Sequence, residues 1–293
     1  MKTLHIVPEL NEANGVFVVA NLIAREQGDA EVVSLNEGLS KISDKTVEEV
    51  WVHGMWLPKQ WLACKSAIKL GKHLVRMTHG SLSPIYLKHQ SPLKKSLVGF
   101  IERYYLRKAD KIVATCEAER KWIQKYLQNR NPEIEVTDIK RFFDLGDDNF
   151  AFQREERKLN FLYLGRRHPL KGLDLLEEAI KDLEGVEFKI VSNVFGEDKE
   201  RIWDWCDVLM HPTLSENFGL VVAEALQRGK CVVTTDGAPV WQVGSENDTR
   251  EIRLGYGGKL IYLNGYCKLS REDKINFLKD AIAFIRDKIK TPG

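Results

Sequence analysis

Short runs of β-branched residues alternate with longer amphipathic runs along most of the chain. TLHIVPE precedes GVFVVANLIAREQ, AEVVSL and EEVWVHG precede PKQWLACKSAIKLG, and HLVRMTHG precedes a longer helical stretch before KIVATC and EAERKWIQKYLQ. Strands alternating with helices of about 10 to 15 residues predict βαβ units, a parallel sheet and right-handed crossovers. An aperiodic, charge-rich stretch, DLGDDNFAFQREERKLN at residues 144 to 160, interrupts the pattern and reads as a linker. The alternation restarts with FLYLG, LDLLEEAIKDL, EFKIV, DKERIWDWC, DVLMHP, GLVVAEALQR and CVVTT. It closes on the amphipathic SREDKINFLKDAIAFIRDKI, whose helix Ser270 and Asp273 are placed to cap. The expected organisation is a first domain over 1–147, a second over 148–268, and a C-terminal helix over 269–293 packing back on the first. Two doubly wound α/β domains of this kind, facing each other, place a ligand cleft at the C-terminal ends of both sheets.

Composition narrows the class. A chain of 293 residues exceeds one ordinary core and suits two. Its 44 basic and 42 acidic residues leave a formal charge of +2, which argues against a nucleic-acid-coating protein, so any basic site is local. Cys64, Cys116, Cys206, Cys231 and Cys267 are odd in number, dispersed and never form a Cys-x-x-Cys pair, as expected of reduced thiols in a cytoplasmic protein. MKTLHIVPEL is too short and polar for a signal peptide, and no apolar run is long enough to span a bilayer.

The topology directs attention to loops that leave a strand and enter a helix, and four are unusual. PELNEANG brings Asn14 and Gly15 to the start of the first helix, where glycine lets a ligand approach backbone N–H groups, or simply makes a tight turn with positive φ. RMTHGSLSP and VHGMW end adjacent strands in His-Gly, so that His79, His53 or both would face the cleft. LGRRHPLKG crowds Arg166, Arg167, His168 and Lys171 before a helix N-terminus, an arrangement suited to a diphosphate. It lacks the spacing of a Walker A loop, and no constellation for a metal accompanies it. HPTLSENFGLVVAEALQRGK places Glu216 in a loop, Asn217, Phe218 and Gly219 at a helix start, and Glu224 within the helix. Glu216 doubles as a first-turn acid facing the dipole, and Glu224 as a surface ion pair to Arg228.

Together these residues resemble a known family. SENFGLVVAE is similar to the E-x7-E signature of GT-B retaining glycosyltransferases of family 4, and LGRRHPLKG to that family's donor-phosphate loop. HLVRMTHGSLSP with LKKSLVGFIERYYLRKADKIVATCEAE resembles the family's first domain, particularly in members that build bacterial surface polysaccharides. The likeness covers about residues 12 to 243. It implies two Rossmann-like domains and the transfer, with retention, of a sugar from a UDP- or GDP-linked donor to a growing, lipid-linked glycan. Catalytic roles would fall to His79, Glu216, Arg166 and Lys171, with the last two on the diphosphate and His79 near the anomeric end of the sugar. Gly15, Asn217, Phe218 and Gly219 would complete the donor site, and Glu224 would take the ribose hydroxyls. No metal or other cofactor is expected. The alternatives are a non-catalytic nucleotide-sugar-binding subunit of a transferase complex, and an epimerase on the same scaffold.

Two departures accompany the resemblance. EGVEFKIVSNVFGEDKERIWDWCDV covers in one short step the ground of two βα units, so the second domain is expected to be shortened. The usual interdomain segment is changed to RFFDLGD. Between residues 86 and 111, Lys88, Lys94, Lys95, Arg103, Arg107, Lys108 and Lys111 accompany Leu97, Phe100, Ile101, Tyr104 and Tyr105. Such a segment suits peripheral contact with an anionic membrane, or equally a sheet-covering helix.

Overall fold

The computed structural model describes residues 2–290 apart from 12, 13, 93, 129–131, 147–157, 182, 246 and 248. Two compact units, Met1–Phe142 and Phe143–Gly293, account for the chain. The domain boundary expected at 147/148, and most of the expected linker, lie outside the described residues.

The first unit contains β1 (Lys2–Val7), α1 (Gly15–Gln27), β2 (Ala30–Ser34), α2 (Leu35–Lys41), β3 (Val47–His53), α3 (Pro58–Lys69) and β4 (His73–Met77). It continues through α4 (Pro84–Lys88), a π-helical turn (Lys94–Val98), α5 (Gly99–Lys108), β5 (Lys111–Ala114), α6 (Glu117–Leu127) and β6 (Glu133–Val136). The strands form one sheet in the order β2-β1-β3-β4-β5-β6, every neighbouring pair parallel. Its central strands are covered on both faces, so β1 and β4 bury almost every side chain, as parallel strands in doubly wound sheets do. Leu4, Ile6, Val50, Val52, Leu74, Ala63 and Ile112 form the core beneath α2, α3 and α5.

An ion pair sits inside that core. Arg76 of β4 and Glu102 of α5 are both fully buried at 3.2 Å. Arg76 also donates to the carbonyl of Gly54 at 3.0 Å, and Glu102 accepts from the indole of Trp61 at 2.9 Å and from the backbone N–H of Trp56. Such a pair tolerates burial only because most of its hydrogen-bonding capacity is met, and losing one partner would strand the other charge. It fixes α5 on the sheet by a polar contact, which the apolar periodicity of that helix does not reveal.

The second unit contains β7 (Leu159–Leu164), α7 (Leu173–Ile180), β8 (Val186–Val191), α8 (Gly196–Trp205), β9 (Val208–His211), α9 (Leu220–Gln227), β10 (Cys231–Thr235), β11 (Glu251–Gly255), β12 (Leu260–Asn264) and α10 (Arg271–Lys290). Its sheet runs β11-β12-β10-β9-β7-β8, parallel except for β11, which lies antiparallel to β12. One strand and one helix, β8 and α8, stand between α7 and β9, and β8 is the edge strand of that side. Phe277, Leu278, Ala281, Ile282 and Ile285 of α10 are buried in the core of this same unit, where α10 packs on α7. Ser270 caps that helix as the sequence suggests, taking the N–H of Asp273 at 3.1 Å and donating to its carboxylate at 2.7 Å.

Candidate functional site

In the second unit, three loops at the C-terminal ends of β7, β9 and β10 are stitched together by backbone. The carbonyl of Leu170 accepts from the N–H of Leu214 at 2.8 Å and from the hydroxyl of Thr213 at 3.0 Å. The carbonyl of Thr213 accepts from the hydroxyl of Thr235, and the carbonyl of Gly237 accepts from the N–H of Glu216 at 2.8 Å. Two glycines make this approach possible. A Cβ on Gly172 would stand 2.1 Å from the carbonyl oxygen of Pro212, and one on Gly237 would stand 2.3 Å from that of Thr213. Gly172 is also left-handed, at φ +65.

This stitching brings Lys171 onto Glu216. Their ammonium and carboxylate form an ion pair, each side chain about one-fifth exposed. His211, the last residue of β9, reaches the same carboxylate at 3.8 Å and bonds through Nδ1 to the hydroxyl of Thr234 at 3.1 Å. Burial opposes ionisation of Glu216, but the charge of Lys171 and the nearby His211 ring outweigh it and hold the carboxyl far below its ordinary range. Burial lowers the His211 imidazole, against the pull of Glu216. The result is a fixed, partly solvated anion just before α9.

The other cations of LGRRHPLKG divide by role. Arg167 pairs with Glu177 at 2.9 Å, and His168 accepts the N–H of Leu170 at 3.2 Å, capping a short 3-10 turn at Pro169–Lys171. Arg166 is exposed, and its guanidinium has no partner among the described residues. At the start of α9, Asn217 gives its N–H to the carboxylate of Glu216 at 3.1 Å. Gly219 is left-handed at φ +70, and among the described residues neither its N–H nor that of Phe218 finds an acceptor. The Phe218 side chain is buried instead, against Phe143 and Trp241, and its carbonyl takes the Trp241 indole N–H. Only backbone atoms of Phe218 are thus available to a ligand.

Glu224 does not pair with Arg228 as a local helical contact. Its carboxylate meets Lys199 of α8 at 2.7 Å, while Arg228 reaches Glu200 of α8 at 2.7 Å. Two ion pairs therefore cross between α8 and α9, and neither was legible from helical spacing. Among the described residues, no group of three His, Cys, Asp or Glu side chains stands together as a metal site.

In the first unit, His79 follows β4 in a left-handed conformation, φ +50, and is half-buried. Glu119, fully buried in the first turn of α6, holds that loop: it accepts from the hydroxyl of Thr78 at 2.6 Å, the N–H of Gly80 at 2.5 Å, and both N–H and hydroxyl of Thr115 at 2.7 Å. A carboxylate followed by a helical run is the only signal the sequence offers for it. His53 is fully buried and bonds to His79 at 2.8 Å, so the cleft-facing role considered for His53 does not hold. Gly15 opens α1, whose N-cap Asn14 accepts from Val16 at 3.0 Å, and Gly15 is not among the left-handed glycines, so the turn reading that needed positive φ fails.

Residues 149–249, which include Arg166, Lys171, Glu216 and Glu224, match the family described as Glycosyl transferases group 1. The uncharacterized glycosyltransferase MJ1178 of Methanocaldococcus jannaschii is 23% identical over 267 residues, covering 79% of this chain and 65% of that protein. MJ1069 of the same organism is 28% identical over 142 residues, covering 45% of this chain and 35% of that protein. The chain thus spans less than two thirds of the length of each of these relatives. Anabaena HepE in complex with UDP-glucose superposes with a TM-score of 0.61 at 14% identity, covering 99% of this chain and 95% of that one. Sucrose-phosphate synthase from Thermosynechococcus elongatus gives 0.64 at 12% identity, covering 97% and 90%. At such identities the likeness is one of fold, two parallel-sheet α/β domains of GT-B type, and the match to the glycosyl transferases group 1 description falls within the second of them, over residues 149–249.

Proposed function

We propose that the protein is a retaining glycosyltransferase of family 4 that moves a sugar from a UDP- or GDP-linked donor to a growing glycan in surface polysaccharide synthesis. The observation that carries this reading is the contact of Lys171 with Glu216 beside the open start of α9. Departure of a nucleoside diphosphate develops negative charge, and fixed cations and N–H groups lower the barrier without reorganising. Arg166 and Lys171 supply that stabilisation, with no metal required. Glu216 and the N–H groups of Asn217, Phe218 and Gly219 hold the sugar and phosphate. Glu224, oriented by Lys199, takes the ribose hydroxyls. From the first unit, His79 contacts the sugar and Gly15 lines the phosphate and acceptor side. HepE, with the same fold, was solved with UDP-glucose, which makes UDP-glucose the first donor to try.

The acceptor we propose is lipid-linked, met at the inner face of the plasma membrane. Leu97, Phe100 and Tyr104 are 64%, 71% and 51% exposed, and their spacing sets them along one side of the helix that α5 continues. An apolar stripe of this size beside lysines suits the headgroup region of an anionic bilayer. Among the described residues, no helix is long and apolar enough to cross a membrane.

A second reading, a non-catalytic subunit that binds the nucleotide sugar, is favoured by the single βα unit between α7 and β9, which leaves less structure for a base pocket. Titration calorimetry with UDP, GDP and their sugars, followed by donor-hydrolysis and transfer assays, separates the two. Turnover that Arg166→Ala and Lys171→Ala each lower by about 10²–10³ supports the enzyme. Binding without turnover for any acceptor supports the subunit.

A further inference from the structure

A chain of three histidines runs across one face of the first sheet. His5 in β1 lies opposite Trp51, two residues from His53 at the end of β3, and His53 lies opposite Met77, two residues before His79. Equal parity puts His5 and His53 on the same face, and the turn after β4 brings His79 alongside them. His5 Nδ1 meets His53 Nε2 at 2.9 Å, and His53 Nδ1 meets His79 Nε2 at 2.8 Å. At the far end, His5 Nε2 meets the side-chain carbonyl of Gln27, the exposed last residue of α1, at 2.7 Å. The rings also touch one another, His5 and His53 stacked with centroids 5.2 Å apart and His53 and His79 tilted at 5.1 Å.

Burial keeps these rings neutral, lowering His5 to about 4 and His79 to about 3 and holding His53 well below its ordinary value. A neutral imidazole carries one N–H and one lone pair, so each contact fixes the next. The Gln27 carbonyl can only accept, so His5 is protonated at Nε2 and bare at Nδ1. His53 must then donate from Nε2, and His79 from its own Nε2. His79 is left with a bare Nδ1 that has no partner among the described residues.

We infer that Gln27, His5 and His53 are positioning residues that lock His79 in the Nε2–H tautomer, so that its free Nδ1 accepts a hydrogen bond from a hydroxyl of the donor sugar. This rests on the sugar-contact role given to His79 above and narrows it to one atom and one direction. A bare nitrogen repels a phosphate oxygen, so the leaving diphosphate is excluded as the partner of His79.

The test is long-range proton–nitrogen NMR on full-length protein labelled at histidine, with signals assigned by His79→Gln and His53→Gln. The expected result at neutral pH is the Nε2–H pattern for His5, His53 and His79. Gln27→Lys replaces the acceptor by a group that only donates, and should convert His79 to the Nδ1–H pattern although Gln27 lies two histidines away. Gln27→Met, with neither function, should give a mixture. Both variants should stay folded with cooperative unfolding at a modestly lowered melting temperature, since each removes the acceptor of the buried His5 while Gln27 itself is exposed at a helix end. An Nδ1–H or doubly protonated His79 in the native protein, or a His79 tautomer indifferent to both Gln27 variants, overturns the inference. Adding UDP-glucose should move the His79 Nδ1 signal and adding UDP should not; the reverse overturns the hydroxyl assignment. A protein that binds neither compound counts against the donor reading itself, while the tautomers still decide the relay.

Discussion

Lys171 and Glu216 stand 45 positions apart in sequence and meet as one ion pair, joining the loop after β7 to the loop after β9. The pair settles what each residue can do. Glu216 stays an anion although burial opposes its charge, and Lys171 is held at the edge of the same site rather than released to solvent.

Lys171→Ala and Arg166→Ala should therefore differ in kind. Each should lower kcat/KM by about 10²–10³, as loss of one fixed donor to a developing anion does. Lys171→Ala should also cost about 1–3 kcal/mol of stability, because Glu216 loses its counter-ion in a mostly buried place. Arg166→Ala should leave thermal unfolding unchanged, since its guanidinium is exposed and without a partner among the described residues. Donor turnover and calorimetric melting, measured on both variants, check the difference; intact turnover in both contradicts the assignment.

Gly172→Ala should be among the most damaging small substitutions in the second unit. The added carbon would stand 2.1 Å from the Pro212 carbonyl at φ +65, so the two loops must part. A loss of about 2–4 kcal/mol and of donor binding is expected. Gly28→Ala is the control: it has φ +82 but nothing within 4 Å, so only backbone strain of about 1–2 kcal/mol applies. Equal stability of the two variants would refute the close approach.

The buried histidines predict an acid-side loss of stability. Their protonation is suppressed in the folded chain and normal in the unfolded one, so below about pH 6.5 the unfolded state binds more protons and unfolding is favoured. The loss builds as pH falls toward the folded values of about 4 for His5 and about 3 for His79. Each ring contributes a slope approaching about 1.4 kcal/mol per pH unit. Urea midpoints at pH 7, 6 and 5 should fall steadily, and His53→Gln should shallow the slope. Glu216, whose carboxyl is depressed in the folded chain, adds its own loss only below its ordinary value of 4.5, outside the interval from pH 7 to pH 5.

For membrane contact, the informative changes are apolar. Arg103 donates to the carbonyl of Tyr126 and Arg107 to that of Leu127, each at 3.0 Å, so these arginines close the C-terminus of α6 and are not free for lipid. Leu97→Ser with Phe100→Ser should reduce co-sedimentation with phosphatidylglycerol vesicles several-fold and leave the melting temperature unchanged. Undiminished binding by that variant would remove the stripe from the proposal.

Glu224→Gln should raise the donor KM several-fold with kcat little changed, since the ribose is remote from the reacting bond. Lys199 loses its counter-charge in the same variant, so Lys199→Met should reproduce part of the effect. A change in kcat alone would contradict a ribose contact.

Much of the fold was written in the periodicity. β1 to β5 of the first sheet and β7 to β10 of the second fall on the runs that predicted them; the central ones are continuous apolar stretches, as buried parallel strands are, and the edge strands β2 and β8 were marked by their β-branched and aromatic residues. α2 escaped because Leu35–Lys41 is only seven residues and abuts β2. β6, with charged residues in EIEV, and β11 escaped because edge strands need not be apolar. In the site, Lys171 and Glu216 were visible as residue types but their contact was not, because it depends on backbone bonds from Leu170 to Thr213 and Leu214. Glu119 and Lys199 were missed for the same reason: each acts on a residue far along the chain.

The close approach at Gly172 and Gly237 bears on how such a site can be altered. With no space for a side chain between the loops after β7, β9 and β10, an insertion or a bulky exchange in one of them displaces the others. The three loops behave as a single mechanical part. Redesign of donor preference should therefore leave their backbone untouched and work through outward-facing side chains other than the phosphate-binding Arg166, or transplant all three loops together from another protein of the same fold.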